Sequence, residues 1–502
     1  MTRYIEKHPL ATVMVVAIVL RLVAVVYSRG FMASDDLFQT VTVAYHWLHH
    51  GIWRPDGFLS WKETGQVSRF PLYVLSLYLN MKLMLAMGYD ALDKIMYGVR
   101  LSHALFSLIG VWAVYRTVEL VTGSKRWAMV GGLIMAAHFA LPYLAVRNLI
   151  EMVGGIIWAV VFYCFARHDK DEHPLWLVLA GVISGLAWMV RFQLLFAICA
   201  VPVILWFDSR RIKPALYYGV TVLVMFLIAG IVDLKLTGTF MGTSLVHVSL
   251  GAQGGPTYAT HFLIYVAVIL GYFIPPFSPI AFYLIARKRF FVRYKLIVFS
   301  SLSFILIHAV IPYRQERYMI PIIPVLVIMI VLALHQHYVE RGFFFSNKRL
   351  RNGVLGFAIG LNLILLVPLT VHYGHKGIVE PLAEIERLSN TKPTVLFVTP
   401  NAYRCFPFVY GGFDTINRGY IYDWSDLDVA FPEDMGNIYD YFLLYPTKRE
   451  DVSLYSDSIS SRIGAIEEAF HVEPSLVDKV LHAMNPNHNL TNEVWVYRPV
   501  GR

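Results

Sequence analysis

The stretch PLYVLSLYLNMKLMLAM, residues 71–87, decides how the chain is threaded. It is apolar enough to cross a bilayer, yet Asn80 and Lys82 stand towards its far end. Suppose it does not cross. The apolar runs near 98–116, 127–145, 150–166, 174–190, 193–207, 215–233, 261–285, 296–311, 319–338 and 353–372 then join Pro9–Ser28 to give about eleven crossings, a helical span needing about 20 residues. One side of the membrane receives Arg116/Lys125/Arg126, Arg167/Lys170, Arg210/Arg211/Lys213, Arg287/Lys288/Arg289/Arg293/Lys295 and Arg341/Lys348/Arg349/Arg351. Letting residues 71–87 cross would turn all these clusters outward, against the excess of Lys and Arg expected in cytoplasmic loops. The stretch therefore reads as a re-entrant or interfacial helix.

Composition agrees with a polytopic α-helical membrane protein. Of 502 residues, 57% are hydrophobic and only 15% charged, whereas a soluble chain has roughly a quarter charged; mean hydropathy is +0.55. Strand-length alternation is absent, which argues against a membrane barrel. The net charge of +9 sits in the short loops, so it reads as topology and not as a nucleic-acid surface. Cys164, Cys199 and Cys405 are scattered and supply neither a disulfide framework nor a metal pattern. The first apolar run leads into a large membrane body and reads as a retained span.

Within the first outer loop, Gln39–His49 can form a short amphipathic helix presenting Val41, Ala44, Trp47 and Leu48, ended by Gly51. The segment Leu236–Thr260 reads as a glycine-rich external loop, either a cover for a site or a plain connector. Composition changes near residue 373. Residues 1–373 read as the membrane module, and 374–502 as a small external α/β domain with no run able to cross. In that domain Thr394–Thr399, Tyr420–Trp424, Tyr439–Tyr445 and Glu493–Tyr497 are strand candidates, and Ile463 to Phe470 a short helix.

This threading places Asp35, Asp36, Arg69, Arg147, Glu151, Arg191, Asp233, Lys235 and the run Tyr313-Arg314-Gln315-Glu316-Arg317 at one outer side. Charges at membrane depth need a partner or a wet cavity, so a shared cavity explains them together. A carboxylate there can take a proton from a hydroxyl, and arginines can hold a phosphate in two-pronged geometry. Asp35, Asp36 and Glu151, with His50 or His308, could make an oxygen-rich metal site, but no close H-x-x-x-H spacing supports one and no metal is expected. Gly251–Gly255 lacks the lysine of a phosphate loop, which favours a lipid-phosphate-linked donor over a soluble nucleotide sugar.

At these residues the sequence resembles the GT-C membrane glycosyltransferases, most closely the lipid-phosphate-mannose-dependent mannosyltransferases of N-glycan precursor and glycosylphosphatidylinositol synthesis. Ala33-Ser34-Asp35-Asp36-Leu37-Phe38-Gln39 resembles the second half of that family's His-Pro-Asp-Glu-x-Phe-Gln motif, with Ala33 and Ser34 departing from the His-Pro pair. Arg147 and Glu151 resemble its next charged segment loosely. Arg191-Phe192-Gln193 resembles its Arg-x-Gln, and Asp233 the aspartate of Asp-Ser-x-x-Tyr-Gly. Tyr313-Arg314-Gln315-Glu316-Arg317-Tyr318 is similar to His-Lys-Glu-Glu-Arg-Phe, with Tyr313 and Gln315 replacing His and Glu. Phe397-Val398-Thr399-Pro400, followed by Phe406-Pro407, resembles a further segment, with Asn401 where the family has cysteine.

The resemblance implies an inverting mannosyltransferase with a polyprenyl or dolichyl phosphate mannose donor and a hydroxyl acceptor on a lipid-linked glycan or glycolipid. In that reading Asp35 is the catalytic base, while Asp36, Gln39, Glu151, Asp233 and Glu316 support it. Arg191, Arg314 and Arg317 bind the donor phosphate, no separate cofactor is needed, and the site faces the external or lumenal side. Transfer of another sugar (arabinose, glucose or an amino sugar) remains open, as does lipid-linked sugar transport. A transporter should show internal repeats and discontinuous spans at midplane, and neither stands out.

Overall fold

The computed structural model describes residues 6–33, 37–52, 69–89, 92–253, 263–311, 315–389, 392–399, 417–421, 439–484, 486 and 492–501. Six helices among them are long and apolar enough to cross a membrane: Pro9–Tyr27, Asp93–Thr122, Ile150–Asp171, Ile212–Leu236, Glu316–Arg341 and Lys348–Thr370. Ile264–Tyr272 and Phe277–Ile285 make a seventh if counted as one span bent by 114°. The eleven crossings expected from hydropathy are thus not eleven long helices. Leu175–Val190, Phe192–Asp208 and Lys295–Val310 fall on expected runs but are shorter, and the run 127–145 divides into helices Lys125–Ala137 and Leu141–Leu144. Apolar content is continuous through these runs while the backbone is not: Pro142, Pro275 and Pro276 lack the N–H that a continuing helix needs. Pro71–Ala86 is a 16-residue helix opened by a proline at its first turn, about 24 Å long at 1.5 Å per residue.

Glu316–Arg341 is the inner strut, with 89% of its apolar window buried, whereas Lys348–Thr370 has 11% buried and shows its Leu and Ile side chains outward. Such outward apolar faces suit lipid, which gives no penalty for exposing them. One charge lies hidden in the first span. Arg21 is 1% exposed; it donates from Nε to Ser107 Oγ at 2.6 Å, from Nη1 to the Ala136 carbonyl at 3.2 Å and from Nη2 to the Met135 carbonyl at 3.1 Å. Those carbonyls end the helix Lys125–Ala137, where the last turn has no partner of its own and a cation is favourable.

After the first long helix, a π-helical turn Leu37–Val41 runs into helix Thr42–His50, which Gly51 stops at φ +84°. Val41, Ala44 and Trp47 are buried as the amphipathic reading requires. Leu236–Thr260 is not simply a loop: the preceding helix continues to Thr237, and Gly242–Gln253 forms another; residues 254–260 are outside the described set.

After helix Lys376–Leu388 come strands β1 (Thr394–Val398), β2 (Asn417–Ile421), β3 (Tyr441–Leu444), β4 (Ile466–Val472) and β5 (Val494–Pro499). They form one sheet in the order β2-β1-β3-β5-β4, with β2, β1 and β3 parallel and β5 antiparallel to both β3 and β4. The expected helix Ile463 to Phe470 is a correction. Gly464 at φ +93° ends a helix at Ile463, and Ile466–Val472 is strand β4, with Glu467 paired across to Arg498. The sheet does not stand apart: Val395, Phe397 and Leu443 share an apolar cluster with Phe31, Leu37, Val41 and Trp47, which follow the first long helix.

Candidate functional site

Helix Ile150–Asp171 starts after Leu149, which is extended, and puts Glu151 in its first turn, where a carboxylate complements the positive end of the helix. Gly154 and Gly155 lie three and four residues on, on the same helix face as Glu151. A Cβ on Gly154 would stand 2.8 Å from Arg191 Cβ, and one on Gly155 only 2.7 Å from the Pro321 carbonyl oxygen. The two missing side chains therefore let two other segments reach Glu151.

The first is Arg191, extended at the end of helix Leu175–Val190 and before the 3-10 turn Phe192–Leu194. The second is the 3-10 stretch Glu316–Ile322, which carries Arg317. Arg191 Nη2 is 3.2 Å from Glu151 Oε1, and Arg317 Nε is 3.9 Å from the same oxygen. Glu151 is 0% exposed, Arg191 2% and Arg317 11%. Tyr318 offers its ring to both cations, at 5.0 Å from Arg191 and 5.8 Å from Arg317. Gln315 Oε1 accepts from Arg317 Nε at 2.6 Å. Among the described residues, Nε and Nη2 of Arg191 and both Glu151 oxygens meet no aligned hydrogen-bond partner. Buried guanidinium donors held by an ion pair yet left with capacity are suited to an anion.

Beside this group a narrow cleft, partly open to solvent, is walled by Arg69, Phe70, Ile150, Trp188, Phe192 and Thr243. Arg69 is close enough for its charge to act on Arg191. Two guanidinium groups thus meet one carboxylate with a third near Arg191, an excess of positive charge in a water-poor place, where it is felt strongly. Asp233 shapes the far wall. Its Oδ2 accepts from the Thr243 backbone N–H at 2.9 Å and from Thr243 Oγ1 at 2.6 Å.

The structure brings together Glu151, Arg191 and Arg317 of the expected set, and puts Asp233 at the edge of the neighbouring cleft. Gln39 is half-buried in the turn Leu37–Val41, and Glu316 is exposed. Asp35, Asp36 and Arg314 lie outside the described residues. Among the described residues no three His, Cys, Asp or Glu side chains could share a metal ion. The sequence pattern gives Tyr318 as a motif aromatic but not as the ring facing both arginines, and gives Gly154 and Gly155 no part. A glycine pair one turn after a helix-starting carboxylate was the available signal.

Arg147, expected in the same outer cavity, serves elsewhere. It is 2% exposed and donates from Nη1 to the carbonyls of Arg29 and Gly30, at 2.7 and 2.6 Å. Its Nη2 donates to Ser28 Oγ at 2.6 Å and to the His372 carbonyl at 3.0 Å, and the guanidinium lies 4.4 Å from the Tyr143 ring centre. This hub ties the end of the first long helix to the chain leading into the sheet. Around it, Phe31 stacks on His375 at 4.4 Å, and His375 Nδ1 is 3.2 Å from Asn492 Nδ2. Burial holds the His375 imidazole down at about 4 and His372 at about 3, with the Arg147 charge pushing both the same way; a hydrogen bond that the His375 ring donates to the Met32 backbone opposes it. Burial raises Asp478 above the usual carboxylate value.

The architecture defines the class: a polytopic membrane protein with the GT-C fold. The chain resembles ArnT from Cupriavidus metallidurans bound to undecaprenyl phosphate at a TM-score of 0.60 and 13% identity, covering 97% of each chain. The apo form of the same protein gives 0.58 and 14%, over 98% of each. The Archaeoglobus fulgidus oligosaccharyltransferase tethered to an acceptor peptide gives 0.51 and 12%, over 92% of this chain and 72% of that one. Residues 80–232 match the family described as dolichyl-phosphate-mannose-protein mannosyltransferase. No curated protein matches in sequence.

Proposed function

We propose that this protein is a membrane glycosyltransferase that takes its sugar from a lipid-phosphate-linked donor and passes it to a hydroxyl on a lipid-linked acceptor. The observation that carries the reading is the convergence of Arg191 and Arg317 on buried Glu151, with Arg69 beside them. Arg191 and Arg317 hold the donor phosphate. Glu151 is too enclosed by cations to serve as the base and orients the guanidinium groups. The acceptor oxygen attacks the anomeric carbon as the bond from that carbon to the phosphate oxygen breaks. The electron pair leaves on the phosphate, where the arginines stabilise the developing charge, and the hydroxyl proton passes to Asp35. The base assignment rests on the motif around Asp35. Asp36, Gln39, Asp233 and Glu316 support the acceptor side, and Arg314 adds a third phosphate contact. No separate cofactor is required.

Mannose is the donor sugar favoured here, supported by the motif order and by the family match at residues 80–232. The whole-length likeness to a protein with undecaprenyl phosphate bound supports a polyprenyl carrier without choosing among sugars, so another sugar is the second reading. The active site faces the external or lumenal side, and residues 374–502 form the external domain over it. The test is transfer by the purified protein from mannosyl, glucosyl and arabinosyl polyprenyl phosphates to a lipid extract. Transfer from the mannosyl donor, lost in Asp35→Asn, supports the full reading. Turnover of a different lipid-linked sugar selects the second, and sugar flipping in vesicles without transfer defeats both.

A further inference from the structure

Helix Ile323–Arg341 follows directly on the Arg317 segment and ends, at the opposite pole from Glu151, in a second, shallow cleft open to solvent. Arg287, Arg289, Gln336, His337 and Glu340 line it, against the ring of Phe290. Arg287 Nη1 lies 3.3 Å from His337 Nδ1, and Arg289 Nη1 lies 3.5 Å from Glu340 Oε2 while its own side chain stays 72% exposed. Gln336 is 9% exposed; its Nε2 donates to Glu340 Oε1 at 2.9 Å. That leaves Gln336 Oε1 buried without a hydrogen-bond partner among the described residues. An orphaned buried acceptor next to two guanidinium groups is a demand for one molecule with both a negative oxygen and a hydrogen-bond donor.

The surroundings specify which molecule. Residues 286–295 and 340–351 hold nine Lys or Arg and the single carboxylate Glu340. Phe343 and Phe344 are exposed, and the Arg351 guanidinium lies 3.9 Å from the Phe343 ring centre. Aromatic rings and cations at the end of lipid-facing helices mark headgroup depth, and basic pockets between spans take phospholipid headgroups. We infer that this cleft binds an anionic glycerophospholipid whose headgroup bears a hydroxyl. Its phosphodiester sits between Arg287 and Arg289, displacing the Arg287–His337 contact, and its headgroup hydroxyl donates to Gln336 Oε1.

The full chain is reconstituted in phosphatidylcholine nanodiscs with and without phosphatidylglycerol, and retained lipid is counted by native mass spectrometry after gentle release. Selective retention of phosphatidylglycerol is expected. Arg287→Ala/Arg289→Ala should lower it roughly thirtyfold, the effect of removing two basic residues near a membrane surface. Gln336→Leu should narrow the preference over phosphatidylcholine. Arg210→Ala/Lys213→Ala, which removes two cations away from the cleft, should keep both, and all variants should melt like the parent in phosphatidylcholine alone. Equal loss in the Arg210/Lys213 variant would reduce the effect to general surface charge and overturn the site. Stabilisation by inorganic phosphate equal to that by the lipid would overturn the lipid assignment, as would unaltered retention in both cleft variants.

Discussion

Arg147 and Arg191 are equally buried, at 2% exposure each, and the sequence offered them as neighbours in one cavity. Their surroundings differ in kind. Arg147 is surrounded by oxygens that belong to the fold: three carbonyls and a serine hydroxyl. Arg191 has one carboxylate, a tyrosine ring and two further cations for company. A guanidinium whose two Nη groups are both taken by oxygens of the fold holds parts together. One that keeps donors and sits in an excess of like charge is arranged for an anion that comes and goes. Arg21, capping a broken helix through carbonyls, falls with Arg147.

Substitution at Arg191 should break the contrast most visibly. Arg191→Lys keeps the charge for Glu151 but loses the planar fork. Transfer should fall by roughly 10²–10³-fold, the usual loss for a group that stabilises transition-state charge, while the melting temperature stays near that of the parent. Normal transfer in this variant would place the phosphate elsewhere. Arg147→Met reverses the pattern. It strands several carbonyls and should destabilise the junction by about 3 kcal/mol, seen as faster hydrogen exchange at residues 28–31 and 372–375. If Arg147→Met instead lost activity at full stability, the distinction between the two arginines would fail.

Gly155→Ala is a smaller perturbation that tests how the site is assembled. The added methyl would stand 2.7 Å from the Pro321 carbonyl, so the Arg317 segment must shift, at about 1–3 kcal/mol for overpacking. Transfer should drop about tenfold, by rough analogy with one interaction of that size. Gly356→Ala, where nothing lies within 4 Å, is the matched control and should be silent.

Much of this architecture was legible. The apolar runs, the basic loops and three of the four strand candidates fall on observed helices, turns and strands, because hydrophobic length and period are local properties; the fourth, Tyr420–Trp424, meets β2 only at Tyr420 and Ile421, the rest lying outside the described residues. What escaped depends on distant partners. Ile463, Ile466 and Phe470 have helical spacing, but Gly464 closes the preceding helix and β5 supplies an edge for pairing, so the segment becomes β4. Residues 242–253 read as loop from their glycine content, whereas the Thr243 contacts with Asp233 anchor a helix. Glu151 was one supporting residue among several in the sequence. Only the close approach across Gly154 and Gly155 makes it the point on which both arginines converge. No spacing along the chain could separate Arg147 from Arg191, since their difference lies in which oxygens face them.

The last expected effect concerns acid and is read on the Arg147 side. His375, with its imidazole held at about 4 in the folded protein and near 6.5 when unfolded, binds a proton more readily in the unfolded state. Its contribution to stability is therefore complete above about pH 6.5 and is lost as pH falls towards 4, by up to about 1.4 kcal/mol per pH unit. His372 acts in the same sense. Asp478, raised by burial, acts oppositely, but closer to the carboxylate range. Between pH 7 and 5, hydrogen exchange at residues 372–378 and 492–494 should accelerate as the pH falls, after correction for intrinsic rates. His375→Gln should roughly halve that dependence, leaving the His372 share, without altering transfer at neutral pH. Exchange that responded to acid equally in parent and variant would move the sensitivity away from His375 and leave the junction held by Arg147 and the apolar packing around Phe31.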